Sequence, residues 1–437
     1  MDDIAAPCQR ESKLEELSMD TVHRQAGLGL LRRFVVPAAA ACAVVLAAGC
    51  ANSSASSPAA ARGGPVTIGV ATTLSGPFAS YGVGGLDGIK LAVAGLNSQG
   101  GLLGQQIRVV SGDDQIDPAT GETVTRNLIL NDHVDALFGS VSSAVAAAQE
   151  QLAGQYKVPI FFHLANDVGL TTTTFNKYAF EFSPNSDMEP AAAALYFARV
   201  IGHGPVKIAT ITPDYSFGLD TVAAFLTDLK KDGVAYQVTD QQTPALGASS
   251  FTSQIAAVLA SGPQYVFLGQ YGADLVTLTK QGLGLGLFTK ARVGGMYDLQ
   301  VLQALGSQAP AGAIAWDRAP FWTDDSSVMT GFVSAYKAAY GSYPSEFAII
   351  GYTAVQAWAW AVKQAGSFNA DKVVAALGGA TVPTIRGDIT IRACDHQAEV
   401  PEEVGMIAAA PSPRYGVTLW DPDVLDAQPA QTIEPCS

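Results

Sequence analysis

A cluster of serine residues stands where the sequence can hold an anion. The segment Gly139-Ser140-Val141-Ser142-Ser143 lies directly after the apolar run Val134–Phe138 and directly before the helical pattern Ala144–Gln155. Free backbone N–H groups at a helix N-terminus, together with nearby hydroxyl groups, can hold a carboxylate. The arrangement therefore predicts that Ser142 and Ser143 contact an anionic ligand. The structural alternative is that Ser142 only caps its helix, and the two roles are compatible.

Motifs of common catalytic and nucleotide-binding sites are missing or wrongly spaced. The glycine-rich segment Gly82–Gly88 follows a strand pattern and opens a helix, but its spacing differs from G-x-G-x-x-G. The sequence contains no G-x-x-x-x-G-K-[ST], H-E-x-x-H or G-x-S-x-G motif. Cys394-Asp395-His396 has no second His or Cys at metal-ligand spacing. We therefore expect no enzymatic activity, no cofactor and no metal site.

The N-terminal segment has the features of a lipoprotein signal peptide. Arg32 and Arg33 precede an apolar run from Phe34 to Ala48, and small residues lead into Cys50. A transmembrane anchor is the alternative, but this run is shorter than the roughly 20 apolar residues that a spanning helix needs. We predict a signal peptide with an extended n-region at 1–49 and lipidation of Cys50. The protein would be exported and anchored by lipid to the outer face of the cytoplasmic membrane.

The net charge restricts the possible binding partners of the protein, and the positions of the cysteines predict a disulfide. The chain carries 25 Lys and Arg against 39 Asp and Glu, for a formal net charge of −14. An acidic chain without a basic run has no electrostatic footprint for nucleic acid or an anionic lipid surface. Cys8 and Cys42 precede Cys50, which leaves Cys394 and Cys436. In an exported protein these two are predicted to form a disulfide.

Two series of strand and helix patterns must position these residues. The Ser/Ala/Gly/Pro-rich segment 50–64 has the composition of a flexible tether, and the folded part begins at Pro65. The alternation that follows is typical of parallel sheets with helices on both faces, so we expect an α/β protein with two doubly wound lobes. The first series is Val66–Leu74, Gly85–Asn97, Gln106–Val110, Pro118–Asn131, Val134–Phe138, Ser143–Gln155 and Val158–Leu164, and the second is Val206–Thr212, Leu219–Asp232, Val234–Val238, Phe251–Ser261, Tyr265–Gly269, Leu275–Leu283 and Arg292–Gly295.

The C-terminal third is predicted to complete both lobes. Ser326–Gln364 is helical in pattern with an interruption near 341–344, and a further helix is expected at Asp371–Leu377. Short strands are expected at Thr384–Ala393 and Val404–Ala408. Several chain crossings between the lobes would then form a hinge. The predicted limits are residues 65–183 and 318–382 for the first lobe, and residues 184–317 and 383–437 for the second.

Several motifs occur in the same order as in a known family. They are Val66–Val70 followed by Leu74–Gly82, Gly88–Gly104, Tyr215–Gly218 and Arg392–Gln397. With them the chain resembles periplasmic binding proteins of the leucine/isoleucine/valine and amide type, which have the type I fold and serve ABC importers. The resemblance implies a ligand in the cleft between the lobes, at the carboxyl ends of the strands. The general rule for open α/β sheets places ligands there as well.

The resemblance also implies which positions contact the ligand. It places the serine segment against a ligand carboxylate. In the loop His163–Asp167 it implies a backbone carbonyl and a Thr hydroxyl, and this loop contains Leu164 and Asn166, the latter in place of Thr. His163 is either a polar ligand contact or a satisfied histidine at a strand end. Aromatic walls of the cleft are implied at Tyr81, Tyr215, Tyr271 and Phe347.

One position departs from the amino-acid binders of this family. They carry a Glu that neutralises the ligand's ammonium group, after the strand equivalent to Arg292–Gly295. This chain has Met296-Tyr297-Asp298 there. Either Asp298 supplies the charge from one or two residues later, or the ring of Tyr297 replaces it. A buried ammonium group without a counter-charge costs several kcal/mol, so the sequence favours an amide, a urea-like compound or a carboxylate over a simple branched-chain amino acid.

Together these features predict a lipid-anchored, monomeric solute-binding component of an ABC importer. It would close on a small polar ligand, either a branched-chain amino acid, an amide or urea-like compound or a small carboxylate, and deliver it to a permease with its ATPase. Its contact with the membrane would be through the lipid anchor. The alternative is an extracytoplasmic sensor of the same fold that signals to a membrane partner.

Overall fold

The computed structural model describes residues 65–202, 204–420, 425–427 and 429–436. The predicted signal peptide, the tether at 50–64 and the lipidation site Cys50 lie outside the described residues. Within the described part of the chain, no helix has both the length and the apolar character that crossing a membrane requires.

The first lobe is built on a parallel sheet of five strands in the order β2-β1-β3-β4-β5. All seven residues of β1 are buried, as expected for a parallel strand with helices on both faces. Phe138, Phe161 and Phe180 lie at matching register on three neighbouring strands, and their rings stack with centroids 5.2 and 5.4 Å apart. The elements are β1 Val66–Thr72, α1 Ala79–Ser98, β2 Ile107–Asp113, α2 Pro118–Leu130, β3 Ala136–Gly139, α3 Ser143–Tyr156, β4 Ile160–Phe162 and β5 Ala179–Glu181.

The second lobe contains a seven-stranded sheet in the order β15-β14-β10-β9-β8-β6-β7. Strands β6 to β10 are parallel to one another, whereas β14 and β15 join one edge in antiparallel orientation. The elements up to β10 are α4 Met188–Ile201, β6 Val206–Ile211, α5 Ser216–Lys231, β7 Tyr236–Gln242, α6 Thr252–Ala260, β8 Tyr265–Leu268, α7 Gly272–Leu285, α8 Leu287–Lys290, β9 Arg292–Gly295, α9 Leu299–Leu305 and β10 Ile314–Asp317.

The C-terminal third returns to the first lobe and then to the second. The expected interruption of the long helical segment is present, because α10 ends at Gly341 in the left-handed conformation and α11 begins after Ser345. A small antiparallel sheet, β11-β12-β13, attaches to β5 through a bridge between Gln397 and Glu181. The elements are α10 Ser327–Tyr340, α11 Glu346–Ala365, α12 Ala370–Leu377, β11 Thr381–Thr384, β12 Gly387–Ile391, β13 Ala398–Glu399, β14 Glu402–Met406, β15 Leu425–Ala427 and α13 Pro429–Thr432.

Three chain crossings join the two doubly wound lobes, which confirms the predicted fold class. They run from β5 to α4, from β10 to α10, and from β13 to β14. The precise lobe limits stay a prediction. The His396 ring stacks on Phe180 of β5 at 4.3 Å, and its Nδ1 lies 3.0 Å from the Ala179 carbonyl. This packing favours placing the last change of lobe between β13 and β14 instead of at residue 383.

Close packing of α1 on α11 depends on a glycine in α1. A Cβ atom built on Gly88 would lie 2.0 Å from the backbone oxygen of Ala348, far inside van der Waals contact. The carbonyl of Gly85 likewise lies 2.7 Å from the Cβ position of Gly351 in α11. Gly88 therefore allows the two backbones to approach each other, at the cost of a lower helix propensity.

We predict that Gly88→Ala lowers the free energy of unfolding by about 3 kcal/mol or more, because the clash is with backbone and cannot be relieved by a rotamer change. Gly95→Ala in the same helix is the matched control, since its nearest neighbour is the Tyr352 hydroxyl at 4.0 Å. The control should be neutral or stabilising by up to about 1 kcal/mol. Urea unfolding followed by circular dichroism measures both, and equal stabilities would contradict the packing argument.

Candidate functional site

A cavity lies between the lobes, at the carboxyl ends of strands from both sheets. The space between its lining atoms is about 300 Å³ including the part open to solvent, and the part that admits the centre of a water molecule is about 20 Å³. From the first lobe its walls come from α1, α11 and the segments after β3 and β4, and from the second lobe they come from the segments after β6, β8, β9 and β10. The lining residues are Tyr81, Val141, Ser143, Leu164, Asn166, Tyr215, Phe217, Tyr271, Met296, Arg318 and Phe347.

Ser143 is the serine that reaches the cavity. It is the first residue of α3 and lines the wall, and its hydroxyl oxygen accepts a hydrogen bond from the Asp167 backbone N–H at 3.3 Å. Ser142 occupies the cap position with extended backbone but makes no side-chain capping bond and does not line the cavity. The N–H groups of the first helical turn have no partner within the helix, so this end of α3 favours a negative charge.

The loop after β4 contributes Leu164 and Asn166 to the wall. The Leu164 carbonyl accepts a hydrogen bond from Nη1 of Arg318 at 2.8 Å. Asn166 Nδ2 donates to the Pro184 carbonyl and to Glu189 Oε1, both at 3.0 Å. The carbonyl that the family resemblance gave to a ligand is therefore already hydrogen-bonded within the protein. His163 is fully buried behind this wall against Gly85, and burial lowers its pKa to about 3.

Five aromatic side chains enclose the cavity. Tyr81 and Phe347 of the first lobe contact each other with ring centroids 4.3 Å apart. Tyr271 of the second lobe lies 6.2 Å from the Tyr81 ring, and its hydroxyl is 2.9 Å from that of Tyr215. Phe217 completes the wall, with its ring perpendicular to Tyr271. Such walls bury a large apolar area and favour flat or apolar ligand groups.

Tyr81 also connects the two lobes. Its hydroxyl donates to the Asp298 carboxylate and accepts a hydrogen bond from the Gly272 N–H at 2.8 Å, and both partners belong to the second lobe. Next to it, Gln300 Nε2 donates to the Ser80 carbonyl at 2.8 Å. These contacts between lobes hold the cleft closed over the cavity.

Asp298 and Tyr297, the two residues considered as substitutes for the missing Glu, do not line the cavity. Asp298 caps α9 through a 2.9 Å bond from the Val301 N–H, and its other oxygen faces Tyr81. Tyr297 is fully buried, and its hydroxyl lies 3.2 Å from that of Thr279. Neither side chain lines the cavity, because both are engaged behind it.

Arg318 is the charged residue of the cavity wall, and the sequence analysis missed it. It directly follows β10 and is only 5 % exposed. Its Nε donates to Glu189, and its backbone N–H donates to Glu346 at 2.9 Å. Burial opposes the charge of the guanidinium, but the carboxylates of Glu189 and Glu346 outweigh it and raise the pKa of Arg318 above its ordinary value.

The structure thus places seven of the ten predicted residues among those that line the cavity and three outside this lining; ligand contact itself stays a prediction. On the wall are Tyr81, Ser143, Leu164, Asn166, Tyr215, Tyr271 and Phe347, and behind it are Ser142, Tyr297 and Asp298. Val141 and Phe217 lie inside motifs already singled out, and Met296 directly follows a predicted strand. Arg318 had a weaker signal, because the strand before it was not predicted.

The two C-terminal cysteines are joined as expected. A disulfide connects Cys394 and Cys436, whose Cα atoms are 6.2 Å apart. Arg392 pairs with Asp395 and donates to the Glu434 carbonyl, which holds the last residues against the small sheet. The bond uses both sulfur atoms, so they are not available as metal ligands.

Comparisons with known proteins agree with this geometry. A family model described as "Periplasmic binding protein" matches residues 65–408. Leu/Ile/Val-binding protein homolog 4 of Brucella abortus (strain 2308) is 28% identical over 361 residues, covering 78% of this chain and 84% of the relative.

Solved structures share the fold. The leucine-, isoleucine-, valine-, threonine- and alanine-binding protein of Brucella ovis, in its closed conformation, superposes with a TM-score of 0.73 at 24% identity, covering 85% of this chain and 97% of that one. A solute-binding protein of an ABC transporter from Rhodopseudomonas palustris BisB5, in complex with 3,4-dihydroxybenzoic acid, gives a TM-score of 0.73 at 22% identity, with 83% and 98% covered.

The buried carboxyl group of Asp298 makes a prediction about pH. Burial, with a smaller contribution from Glu346, raises its pKa to about 7. A group whose pKa is raised on folding stabilises the folded state at low pH and loses this contribution as the pH rises through the folded value. The free energy of unfolding should therefore decrease as the pH rises from about 5 to about 7.5, and this group should contribute no further change at higher pH.

The variant Asp298→Asn should reduce that decrease by about 1–3 kcal/mol, because its amide does not titrate. Asp371→Asn is the control, since the ion pair and hydrogen bond of Asp371 lower its pKa and it stays ionised over this range. Chemical denaturation at several pH values measures the slope. An unchanged slope in Asp298→Asn would show that this carboxyl group does not titrate near pH 7.

Proposed function

Because this chain belongs to the periplasmic binding protein family, we propose that it is the solute-binding component of an ABC importer. It captures a small organic ligand by closing its two lobes. The observation that carries the proposal is the cavity, since its walls come from both lobes and from the carboxyl ends of both sheets. A pocket divided in this way is complete only when the lobes are closed.

Closure and binding are then thermodynamically linked. A ligand that touches Ser143 on one lobe and Tyr215 on the other binds the closed form more tightly than the open form and shifts the population toward it. The contacts of Tyr81 with Asp298 and Gly272 join the two lobes, so opening of the cleft would break them. The permease would recognise this closed form and accept the ligand from it.

The wall chemistry supports a small molecule with a carboxylate, amide or urea-like group and an apolar body. Ser143 and the N-terminus of α3 provide the polar end, and the five aromatic rings surround the rest. The ligands named for the two similar structures, aliphatic amino acids in one and 3,4-dihydroxybenzoic acid in the other, both fall within this range.

The proposal is tested by a thermal-shift screen of the protein from residue 50 onward, against amino acids, amides, ureas and aromatic and aliphatic carboxylates. At least one compound should raise the melting temperature, because ligand binding to the folded state stabilises it by mass action. No stabilising compound in any of these classes would contradict the proposed function.

For the best compound of the screen, Ser143→Ala and Tyr215→Ala should each weaken binding more than tenfold in isothermal titration calorimetry. Ser142→Ala is the matched control, since Ser142 is the neighbouring buried serine but lies behind the wall. It should bind within about threefold of the parent protein. Parent-like affinity in both wall variants would refute the assignment of the site.

We also propose that the exported protein is monomeric and is held at the membrane by a lipid on Cys50. The variant Cys50→Ser should move the protein from the membrane fraction to the soluble extracytoplasmic fraction. Cys42→Ser, in the same apolar segment, is the control and should remain in the membrane fraction. A membrane-bound Cys50→Ser protein would refute the anchor.

A further inference from the structure

Building on the proposed function, we infer that Arg318 is the anion receptor of the cavity and that the ligand is a small aromatic carboxylate without an ammonium group.

Two of the three nitrogen atoms of the Arg318 guanidinium donate to oxygen acceptors of the described residues, and the third does not. Nε donates to Glu189, and Nη1 donates to the Leu164 carbonyl at 2.8 Å. The partner of Nη2 among the described residues is the Met296 sulfur atom at 4.0 Å, and a thioether is a weak acceptor. Nη2 is thus a buried cationic donor at the cavity wall that lacks a strong acceptor. A ligand carboxylate supplies one.

The other lining residues are uncharged, and no carboxylate of the described residues is among them. Oε1 of Glu189 accepts from Arg318 and Asn166, and the two oxygens of Asp298 accept from Tyr81 and Val301, but neither side chain lines the cavity. An ammonium group in the cavity would therefore face the Arg318 guanidinium and no carboxylate on the wall. Its desolvation would remain uncompensated, which is costly in a closed site.

The Leu164 carbonyl leads to the same conclusion. It is an oxygen on the wall that could accept a hydrogen bond from an ammonium group, but Nη1 of Arg318 already donates to it. The protein's own guanidinium thus takes one of the two lone pairs of this oxygen and places a positive charge where an ammonium group would bind. A carboxylate benefits from the same arrangement, because the Leu164 and Glu189 bonds fix the direction of the guanidinium.

The rings define the rest of the ligand. The centroid of the Tyr81 ring lies 4.3 Å from that of Phe347 and 6.2 Å from that of Tyr271, and the planes of Tyr81 and Tyr271 are only 21° apart. Phe347 also packs under the Arg318 guanidinium at 5.8 Å. A flat ring that carries a carboxylate can lie against these faces and still reach Nη2. A branched aliphatic side chain would not use the flat faces.

The test compares benzoate with benzamide, which have nearly the same shape but differ in charge. In calorimetry the parent protein should bind benzoate at least about 100-fold more tightly than benzamide, because the charged ligand gains the bond to the cation. Arg318→Gln should reduce this ratio to below about tenfold. Arg386→Gln is the matched control: Arg386 is a second arginine near the hinge that contacts the Phe182 and Arg318 carbonyls and does not line the cavity.

A double variant and a comparison with leucine separate the possible outcomes of this test. If Arg318→Gln unfolds because Glu189 is left unpaired, the double variant Arg318→Gln with Glu189→Gln removes the ion pair together, and its ratio is measured instead. An unchanged ratio in the folded variant would overturn the role of Arg318. Tighter binding of leucine than of benzoate would overturn the ligand class but support the proposed function. Failure of every compound in the full screen would contradict the proposed function itself.

Discussion

A buried guanidinium group needs acceptors for its N–H groups. The acceptors of Arg318 come from different parts of the chain and connect the segments around the cleft. Glu189 lies at the start of α4, just after the first crossing between the lobes, and Arg318 stands at the second crossing. The second acceptor, the Leu164 carbonyl, belongs to the loop after β4 of the first lobe. Removing one member of such a buried pair costs more than the pair contributes, because an unpaired charge remains. The lobes therefore meet at a charge cluster with little freedom to rearrange.

Closure adds a second set of contacts around that cluster. The Tyr81 hydroxyl binds Asp298 and Gly272 of the opposite lobe, and the Tyr81 ring packs against Phe347. The guanidinium carbon of Arg318 lies over the same Phe347 ring, 5.8 Å from its centroid. A ligand held between Arg318 and the rings would touch both the hinge and the closing contacts, so its binding energy acts directly on the equilibrium between open and closed forms.

The sequence predicted wall residues where they follow a recognised strand pattern or a known motif. Ser143, Tyr215 and Tyr271 belong to this group. Arg318 was missed because the segment of β10, with the sequence Ile-Ala-Trp-Asp, was not recognised as a strand. The α4 helix was missed for a different reason: ten of its fourteen residues are buried, including Glu189, so it lacks the polar face that marks an amphipathic helix. The ion pair of Arg318 with Glu189 could not be predicted, because it forms between two elements, β10 and α4, that the sequence did not reveal.

The missing Glu and the unexpected Arg318 have one physical explanation. The family resemblance puts a carboxylate after the strand that corresponds to β9, and this chain has Met296 there, whose sulfur atom faces Nη2 of Arg318. A carboxylate at that point would accept from Nη2 and add a second negative charge beside the Arg318–Glu189 pair, which would repel a ligand anion. Methionine leaves Nη2 without a strong acceptor and adds no charge. The proposed preference for a carboxylate over an ammonium group rests on this difference at one subsite.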